Sequence, residues 1–550
     1  MRGREVLLES LKIHGVEVIF GNPGTTESPL LDGLIEYPDL RYIMALHESV
    51  VVAAANCYAQ ASGKTAVVNL HAAPGLGNAL GMLFCAHKAR SPMVVTAGQQ
   101  DVRMRLREPI LQHDLVGMAA PVTKWSVQIE RASEVGPILR RAFKIAQEEP
   151  RGPVFIALPI DVMEAETDIA ATVAGPIYAA TAADPVGIAA AAKLVLAASH
   201  PVIIAGDDAA LGDASPSVVN LAERTGAAVW VEPLRNQASF PTSHVLAQGG
   251  LPLNAGDMRR LLADADLIIL IGGRAPEELW FEDGPCFPIG AKVVQIEAAP
   301  SCVAFSFPVD VGLVGDIART AVELSERIEA TALAAYTAAA TSRCDAWAEA
   351  RAVRQAKLEA DICTQLTEGH MTSLAALSVI RRALPPCTVV VEESSTTRAD
   401  VVRTLPFAPG DYFSGRGGGI GQGLPGGIGA KLAFPDRPVV VLSGDGSGMF
   451  GIQALWTAAH HDLDVVFLIF ANREYRVLKQ NIDEYRKRFR APTDRPYPHM
   501  DLSQPDLDFV NLAQGMGVAA CRVEDVDSLG DTLARAFAAK SPYLIEMIVA

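Results

Sequence analysis

The 550-residue chain lacks several features that would define whole classes of protein. It has no apolar run of about 18 residues and no signal-peptide core near its start, so we expect no membrane span and a cytoplasmic location. Eight cysteines are present, but they are scattered and form no CxxC pair. This pattern disfavours both a disulfide framework and a zinc site, and it fits reduced thiols.

The chain also lacks an excess of basic residues and the usual P-loop nucleotide-binding motif. A net charge of −16 argues against a nucleic-acid partner or an acidic membrane surface. No GxxxxGK[ST] motif is present, so the phosphate-binding loop of the P-loop nucleotide-binding proteins is missing. Half of the residues are hydrophobic and a fifth are charged, which is typical of a globular protein of about three or four domains.

A strand–helix–strand pattern at residues 439–475 organises the rest of the chain. An apolar run at 439–442 leads into Gly444-Asp445-Gly446-Ser447, and a second run at 465–470 ends just before Asn472. Glycines let a backbone approach a phosphate closely, and the following helix directs its free N–H groups towards it. Asp445, Asn472 and a backbone carbonyl in the next turn are the oxygen ligands that Mg²⁺ prefers. The pattern predicts a magnesium–diphosphate site.

Polar residues follow strand after strand in the first part of the chain, as expected for the ligand-binding edge of a parallel sheet. We predict an α/β protein with three doubly wound parallel-sheet domains at 1–170, 185–330 and 365–550, with an Ala/Pro-rich linker at 168–184 and a solvated helix at 330–360. The strand-end residues of the first domain are Thr25, Glu48, His71 and Gln99.

Two other patterns have less distinctive interpretations. Gly272 and Gly273 follow a predicted strand and could cradle an ADP or FAD group, but an ordinary turn is the favoured interpretation because they complete no GxGxxG motif. The pair His460-His461 is interpreted as a surface feature without a role.

A GDG motif followed by Asn472, 28 residues after Gly444 (472 − 444), resembles the signature of thiamine-diphosphate enzymes. The chain resembles the pyruvate decarboxylase/acetolactate synthase superfamily and, within it, the benzoylformate decarboxylases. The middle domain matches only in pattern. The matching segments of the outer domains include Gly21-Asn22-Pro23-Gly24, Asn69-Leu70-His71, Gly418-Gly419-Ile420-Gly421 and Ala454-Leu455-Trp456.

The resemblance implies a role for each matching residue toward thiamine diphosphate and Mg²⁺. It makes Glu48 the acid that hydrogen-bonds the aminopyrimidine ring, and it makes Ile420 the aliphatic wedge beneath the cofactor. The implied metal ligands are Asp445, Asn472 and the backbone carbonyl of Glu474. The remaining implied cofactor contacts are Ser394, Ser395, Thr396, Gly418, Gly444, Gly446 and Ser447.

The resemblance also implies a substrate pocket lined by Thr25, His71, Val477 and Leu478. In it, Thr25 replaces a serine that contacts the substrate carboxylate, and His71 transfers protons. The catalytic residues are thus expected to be Glu48, His71 and Thr25. A second family histidine has no counterpart in residues 274–281, so Glu277, Glu278 or water takes over its role, or a carbonyl acceptor captures the intermediate.

The expected function is Mg²⁺- and thiamine-diphosphate-dependent decarboxylation of a small benzoylformate-like 2-oxo acid to an aldehyde, with ligation to a second carbonyl as a further outcome. The alternatives are a 2-hydroxyacyl-CoA lyase or oxalyl-CoA decarboxylase, motivated by the cations at 103–107, an acetolactate-synthase-like carboligase with FAD, and a degenerate regulatory homologue. Cations at Arg416, Arg473, Arg476 and Lys479 either attract an acidic substrate tail or form a solvated face.

The resemblance has one consequence for assembly. In the family, the glutamate and the diphosphate site of one active centre come from different subunits. We therefore expect a homodimer at minimum and a homotetramer by analogy. No nucleic-acid or membrane partner is expected.

Overall fold

A computed structural model describes residues 1–178, 180–368 and 370–550. Two predicted ranges each include a residue outside this description: Ala179 in the linker at 168–184, and Gly369 in the third domain. The described residues form three six-stranded parallel sheets surrounded by helices. The predicted fold class is confirmed.

The first sheet is built from strands of mostly buried residues. Strands β3, β4 and β6 are buried along their whole lengths, as expected for parallel strands covered on both faces. The strand order is β2-β1-β3-β4-β6-β5. The strands are β1 Val18–Gly21, β2 Arg41–Met44, β3 Ala66–Leu70, β4 Met93–Gln99, β5 Trp125–Gln128 and β6 Pro153–Pro159. The helices are α1 Gly3–Ile13, α2 Ser28–Gly33, α3 Glu48–Ser62, α4 Ala72–Lys88, α5 Leu115–Ala119, α6 Val135–Gln147 and α7 Ile160–Glu164.

The middle sheet has the order β12-β11-β10-β7-β8-β9, which is the strand order of dinucleotide-binding folds. Its strands are β7 Pro201–Ala205, β8 Ala228–Val231, β9 Ala247–Gly250, β10 Leu267–Ile271, β11 Lys292–Glu297 and β12 Val311–Val314. Its helices are α8 Pro185–Ala197, α9 Asp207–Leu211, α10 Ser215–Thr225, α11 Ala255–Leu261 and α12 Ile317–Thr331. A long helix, α13 Ala334–Gln365, follows and is largely exposed, as the sequence predicted.

The third sheet has the order β14-β13-β15-β16-β18-β17, the same connectivity as the first sheet. Its strands are β13 Val389–Glu393, β14 Tyr412–Ser414, β15 Val439–Gly444, β16 Val465–Ala471, β17 Ala519–Val523 and β18 Tyr543–Ile548. The helices are α14 Ser373–Ala383, α15 Arg398–Thr404, α16 Gly423–Ala433, α17 Asp445–Met449, α18 Ala454–His460, α19 Arg476–Arg488, α20 Phe509–Gly515 and α21 Val526–Ala538.

The helical pattern predicted after the GDG turn is interrupted. Two short helices, α17 and α18, stand where the apolar spacing of residues 449–459 predicted continuous helix. Gly448 and Gly451 lie at the interruption, and glycine is a poor helix former. A Cβ at Gly451 would lie 2.8 Å from the Pro425 ring, so close packing also holds this segment in place.

The chain divides into two compact units. One comprises residues 1–177, 368–400 and 413–550, and the other comprises residues 178–367 and 401–412. In the first unit α3 and α16 pack so closely that a Cβ at Gly429 would lie 2.1 Å from the Ala54 carbonyl oxygen. The domain limits near 170, 185, 330 and 365 remain predictions. None of the described helices is long and apolar enough to cross a membrane.

The topology of the outer sheets indicates where ligands bind. In both sheets the strand order reverses between the first and third strands, β1 and β3 in one sheet and β13 and β15 in the other. Ligands in open α/β sheets bind at the carboxyl ends of the strands beside such a reversal. The segments that follow these four strands contain Thr25, His71, the Ser394–Thr396 turn and Asp445.

Candidate functional site

Asp445 lies at the carboxyl end of β15, where it begins α17. The residue is only 4% exposed, and its two carboxylate oxygens accept hydrogen bonds from the backbone N–H groups of Gly446, at 2.7 Å, and Arg473, at 2.6 Å. Burial raises the pKa of Asp445 above its ordinary value, and the backbone N–H groups offset only part of that effect. Both of these contacts are with backbone N–H groups, and neither is with a cationic side chain. A buried carboxylate of this kind suits a bound divalent cation.

Asn472 follows β16, which pairs with β15 so that Gly444 lies opposite Phe470. The end of β16 therefore lies beside the end of β15. The Asn472 side-chain oxygen accepts a 3.1 Å bond from the Glu474 backbone N–H, and Arg473 between them has a positive φ of 59°. This tight turn supports the predicted use of Asn472 and of a backbone carbonyl as ligands. No group of three or more His, Cys, Asp or Glu side chains converges in the described residues, so a cation here needs amide, carbonyl or ligand oxygens.

The turn after β13 contains the predicted diphosphate contacts. Ser394 is buried, and the Glu392 carboxylate accepts bonds from its backbone N–H at 2.5 Å and its hydroxyl at 2.8 Å. Ser395 is exposed and Thr396 is half-buried. Ser394 therefore anchors the turn, and Ser395 and Thr396 are placed to present donors to a ligand.

The glycines around the site meet specific steric demands. A Cβ at Gly446 would lie 2.6 Å from the Tyr475 ring, and Gly418 has a positive φ of 74° that favours glycine. Ile420 lies in this glycine-rich loop, and it is 37% exposed although it is a large aliphatic residue. An exposed isoleucine in a rigid loop fits the predicted wedge beneath the cofactor.

Glu48 begins α3 and is 7% exposed. Its carboxylate oxygens accept bonds from the side-chain amides of Asn22, at 3.3 Å, and Asn78, at 3.0 Å. A Cβ at Gly75 would lie 3.0 Å from a Glu48 carboxylate oxygen, so glycine leaves room for the acid. Two amides thus hold the carboxyl group in a fixed orientation, as a group that donates a proton to a ring nitrogen requires.

His71 lies at the end of β3 and caps α4. Its Nδ1 is 2.8 Å from a carboxylate oxygen of Glu27 and 3.3 Å from the hydroxyl of Thr26. The Glu27 carboxylate is buried and also accepts bonds from the backbone N–H groups of Gly24 and Gly98. A carboxylate on one ring nitrogen orients a histidine and fixes its tautomer, so that the other nitrogen can exchange protons.

Of the other predicted pocket residues, Thr25 and Leu478 are exposed and Val477 is half-buried. Thr25 is exposed in the short segment after β1, whereas the neighbouring Thr26 is buried against His71. Val477 and Leu478 lie in the first turn of α19, and Leu478 is 42% exposed. An exposed leucine beside the metal-site turn is available to contact an apolar substrate.

Local ion pairs engage several of the cations singled out in the sequence. Arg476 and Lys479 both bind the Glu474 carboxylate, and Arg103 binds Asp101. Burial acts to raise the pKa of Glu474, but hydrogen bonds from Lys479 and Arg476 outweigh it and leave that pKa below its ordinary value. These contacts favour the solvated-face interpretation for Arg476 and Lys479 over attraction of an acidic substrate tail. That interpretation is wrong for Arg416, because only 1% of the residue is exposed.

Sequence reasoning missed the residues that orient the two principal side chains of the first sheet. Glu27 lies 44 residues from His71, and Asn78 lies 30 residues from Glu48. Asn22 belongs to the matching segment at 21–24, which was the available signal for it. Glu27 also follows a strand end, so the rule that identified Thr25 applied to it equally.

In the middle unit, protein groups fill the strand ends. Glu232, at the end of β8, is fully buried and accepts bonds from the backbone N–H groups of Asp207, at 3.1 Å, and Arg274. A Cβ at Gly206 would lie 2.3 Å from Gly273 Cα. The glycines therefore pack two loops together, and the Glu232 carboxylate accepts hydrogen bonds from backbone N–H groups of both loops. This favours an ordinary turn at Gly272-Gly273.

The interpretation of His460-His461 as a surface pair is correct for one member only. His460 is exposed, but His461 is half-buried and its Nε2 accepts a 2.9 Å bond from the Met44 backbone N–H. Burial, with smaller effects of His460 and Arg41, lowers the pKa of His461 to about 4. His461 therefore joins the helix before β16 to the edge strand that leads to Glu48.

Comparisons with known families give three matches along the chain. The models are those of the thiamine pyrophosphate enzymes: the N-terminal TPP binding domain over residues 1–118, the central domain over residues 188–324 and the C-terminal TPP binding domain over residues 396–547. The first and last matches contain Glu48, His71, Asp445 and Asn472.

Individual relatives cover nearly the whole chain. A benzoylformate decarboxylase from Pseudomonas aeruginosa is 35% identical over 98% of this chain and 97% of its own length. A putative acetolactate synthase large subunit from Mycobacterium tuberculosis is 32% identical over 100% of this chain and 99% of its own length. The solved thiamine diphosphate-dependent 4-hydroxybenzoylformate decarboxylase of Rhodococcus jostii RHA1 is 29% identical, with a TM-score of 0.86 over 100% of this chain and 99% of its own.

Proposed function

Because this chain belongs to the thiamine pyrophosphate enzyme family, we propose that it is a Mg²⁺-dependent decarboxylase of a benzoylformate-like 2-oxo acid. The family assignment confirms the resemblance inferred from the GDG motif and makes thiamine diphosphate the cofactor. The use of Mg²⁺, the substrate and the roles of individual residues belong to the proposal.

The observation that carries the proposal is the His71–Glu27 pair at the end of β3. Release of an aldehyde after loss of CO₂ requires a proton at the reacting carbon. A half-exposed histidine whose orientation is fixed by a buried carboxylate can supply that proton. Leu478 follows the metal-site turn closely in sequence. It offers an apolar contact to the aromatic or aliphatic side chain of a substrate.

The chain's other residues bind, orient and polarise. Asp445, Asn472 and the Glu474 carbonyl would hold Mg²⁺, and Ser395, Thr396 and Ser447 would bind the diphosphate. The bound cofactor supplies the electron sink for decarboxylation. Glu48, held by Asn22 and Asn78, would keep a carboxyl proton at the pyrimidine ring, and Thr25 would contact the substrate carboxylate.

A panel of 2-oxo acids tests the proposed reaction. We expect CO₂ release to be fastest with benzoylformate or another aromatic 2-oxo acid, slower with aliphatic acids and slowest with pyruvate. Release should require thiamine diphosphate and should stop when a chelator removes Mg²⁺. No CO₂ from any member of the panel, with both cofactors bound, would contradict the proposal.

An acetolactate-forming carboligase is the second candidate, and the relative at 32% identity favours it. It predicts acetolactate from pyruvate and, if FAD binds, a yellow protein. The buried Glu232 carboxylate at the middle strand ends disfavours an FAD phosphate there. The acyl-CoA alternative is tested by calorimetry with coenzyme A, for which the proposed decarboxylase predicts no binding.

We also propose that the enzyme works as a homodimer or homotetramer. The outer sheets carry the two halves of the candidate site, Glu48 and His71 in one and Asp445 and Asn472 in the other. By family analogy, each complete active centre joins the halves of two subunits.

A further inference from the structure

Glu393 is a buried carboxylate at the carboxyl end of β13, directly before the Ser394–Thr396 turn. Only 4% of the residue is exposed. One carboxylate oxygen accepts bonds from the backbone N–H groups of Gly421 and Gln422, and the other accepts from that of Gly423, all at 2.9 Å. Three successive backbone donors of the glycine-rich loop thus converge on one side chain.

Close packing and side-chain hydrogen bonds also restrict the loop that Glu393 binds. A Cβ at Gly421 would lie 2.9 Å from Phe450, and one at Gly423 would lie 2.7 Å from the Cβ of Glu393 itself. The Gln422 side-chain amide donates to the carbonyls of Gly419, at 2.7 Å, and Arg416, at 3.2 Å. The loop is therefore fixed on both sides of Ile420.

The neighbouring Glu392 has a separate task. Its carboxylate accepts bonds from Ser394 and forms a 2.8 Å ion pair with Arg398. Glu392 thus organises the turn after β13, whereas Glu393 reaches the loop before α16. Each of the two adjacent acids therefore holds a different one of the segments proposed to contact the cofactor.

We propose that Glu393 is a positioning residue that fixes the spacing between the Ser394–Thr396 turn and the loop bearing Ile420, and hence the fit of the cofactor between them. The inference rests on the proposed function of these two segments. It assigns Glu393 no contact with the substrate or the reacting atoms.

The three backbone donors explain why a carboxylate serves here, although burial opposes its charge. Burial raises the pKa of Glu393 to about 7, the three backbone N–H groups oppose that effect, and Glu392 adds to it. The donors lie at the start of α16, where the helix dipole favours an anion. A carboxamide presents one acceptor and an NH₂ group that would face a backbone N–H, so it cannot satisfy all three donors.

The test compares Glu393→Gln with Glu546→Gln. Glu546 is a buried acid on β18 of the same sheet, paired with Arg522 at 3.0 Å, so its variant controls for loss of a buried carboxylate. In the cofactor-free protein we expect hydrogen exchange of the 421–423 amides to be at least about tenfold faster in Glu393→Gln, with no change there in Glu546→Gln.

With cofactors added, calorimetry should show thiamine diphosphate binding weakened by roughly tenfold or more in Glu393→Gln only. Turnover should fall more than the KM for the 2-oxo acid changes. If Glu393→Gln fails to fold, Glu393→Asp, which keeps the charge but shortens the reach, should show the same pattern in milder form. Equal behaviour of the Glu393 and Glu546 variants in exchange and binding would overturn the positioning role. Failure of the unaltered protein to bind thiamine diphosphate would instead overturn the proposed function.

Discussion

Asp445 illustrates how one residue's surroundings indicate its ligand. Its carboxylate is buried against backbone N–H groups, and burial raises its pKa. Such a group gains most from a bound cation, which would restore the solvation that the carboxylate has lost. The proposed binding of Mg²⁺ therefore requires the negative charge of Asp445, and a side chain of the same size without charge should not replace it.

We predict that Asp445→Asn weakens Mg²⁺-dependent binding of thiamine diphosphate by at least about tenfold. Asparagine keeps the size but removes the charge. Calorimetry at a fixed Mg²⁺ concentration measures the change. Asp525→Asn is the control, because Asp525 caps α21 through Ser528 and asparagine caps helices equally well. Unchanged affinity in Asp445→Asn would remove Asp445 from the metal site.

We predict that Glu27→Gln lowers kcat by roughly tenfold or more, because His71 loses the carboxylate that orients its ring. Affinity for thiamine diphosphate should stay the same. Steady-state rates and calorimetry separate the two effects, and thermal unfolding monitors the cost of altering a buried acid. In the control Glu17→Gln, only a surface ion pair with Lys64 is lost. A normal kcat in Glu27→Gln would show that the pair has no part in turnover.

At the scale of secondary-structure elements, glycines decide how close two segments approach. Gly24 follows β1, and a Cβ there would lie 2.1 Å from Nδ1 of His71. The histidine ring therefore packs directly on the backbone of the neighbouring strand end.

We predict that Gly24→Ala displaces the His71 ring and lowers kcat by roughly tenfold or more, with unchanged cofactor affinity. The matched control is Gly81→Ala in α4, where a Cβ would meet nothing within 4 Å. Alanine there should raise stability by about 0.5–1 kcal/mol and leave the rate unchanged. Kinetics and thermal unfolding of both variants check this, and full activity in Gly24→Ala would contradict the packing role.

His461 links two elements through one bond to Met44, and it can accept that bond only when Nε2 carries no proton. Its pKa is lowered from 6.5 to about 4 in the folded protein. Between these values the unfolded chain binds a proton that the folded chain excludes, so stability falls as the pH is lowered through this window.

We predict that His461→Gln, which keeps an acceptor but does not titrate, flattens this part of the pH dependence. Denaturant unfolding at pH 7 and at pH 5 measures the change. At pH 7 the variant should resemble the unaltered protein. An equal loss of stability at pH 5 in both proteins would show that His461 does not cause the acid sensitivity.

The sequence predicts these elements unevenly, for physical reasons. The buried strand Leu267–Ile271 is easy to predict because it is a continuous apolar run that ends at Gly272-Gly273. The edge strands Trp125–Gln128 and Ala519–Val523 are harder to predict because they are only partly buried. An edge strand is less completely covered, so fewer of its residues need to be apolar and its sequence pattern is less distinct.

The same reasoning applies to the site. Residues that follow strands could be found one at a time, because strand ends are local features. Partners could not: Glu27 binds the backbone of Gly98, 71 residues away, and Glu393 binds a loop 28 to 30 residues away. Such contacts depend on the order of the strands in a sheet. A short stretch of sequence does not reveal that order.

At the scale of the whole molecule, two sheets with the same strand order carry different halves of the proposed site. The first sheet carries the carboxyl group of Glu48 and the imidazole of His71, and the third carries the candidate metal and diphosphate ligands. This division makes the assembly of subunits part of the proposed mechanism, since each active centre would combine halves of two chains.

The most direct test is to combine two inactive variants. Glu48→Gln should lose at least about 99% of activity while remaining folded, and Asp445→Asn should keep no more than about a tenth of the activity at limiting cofactor. In a hybrid dimer one of the two sites would contain both native residues, so a random mixture should recover roughly a quarter of the native CO₂ release. Tagged subunits verify that hybrids have formed. Full activity in Glu48→Gln alone, or verified hybrids with no recovered activity, would contradict a centre built from Glu48 of one chain and Asp445 of the other.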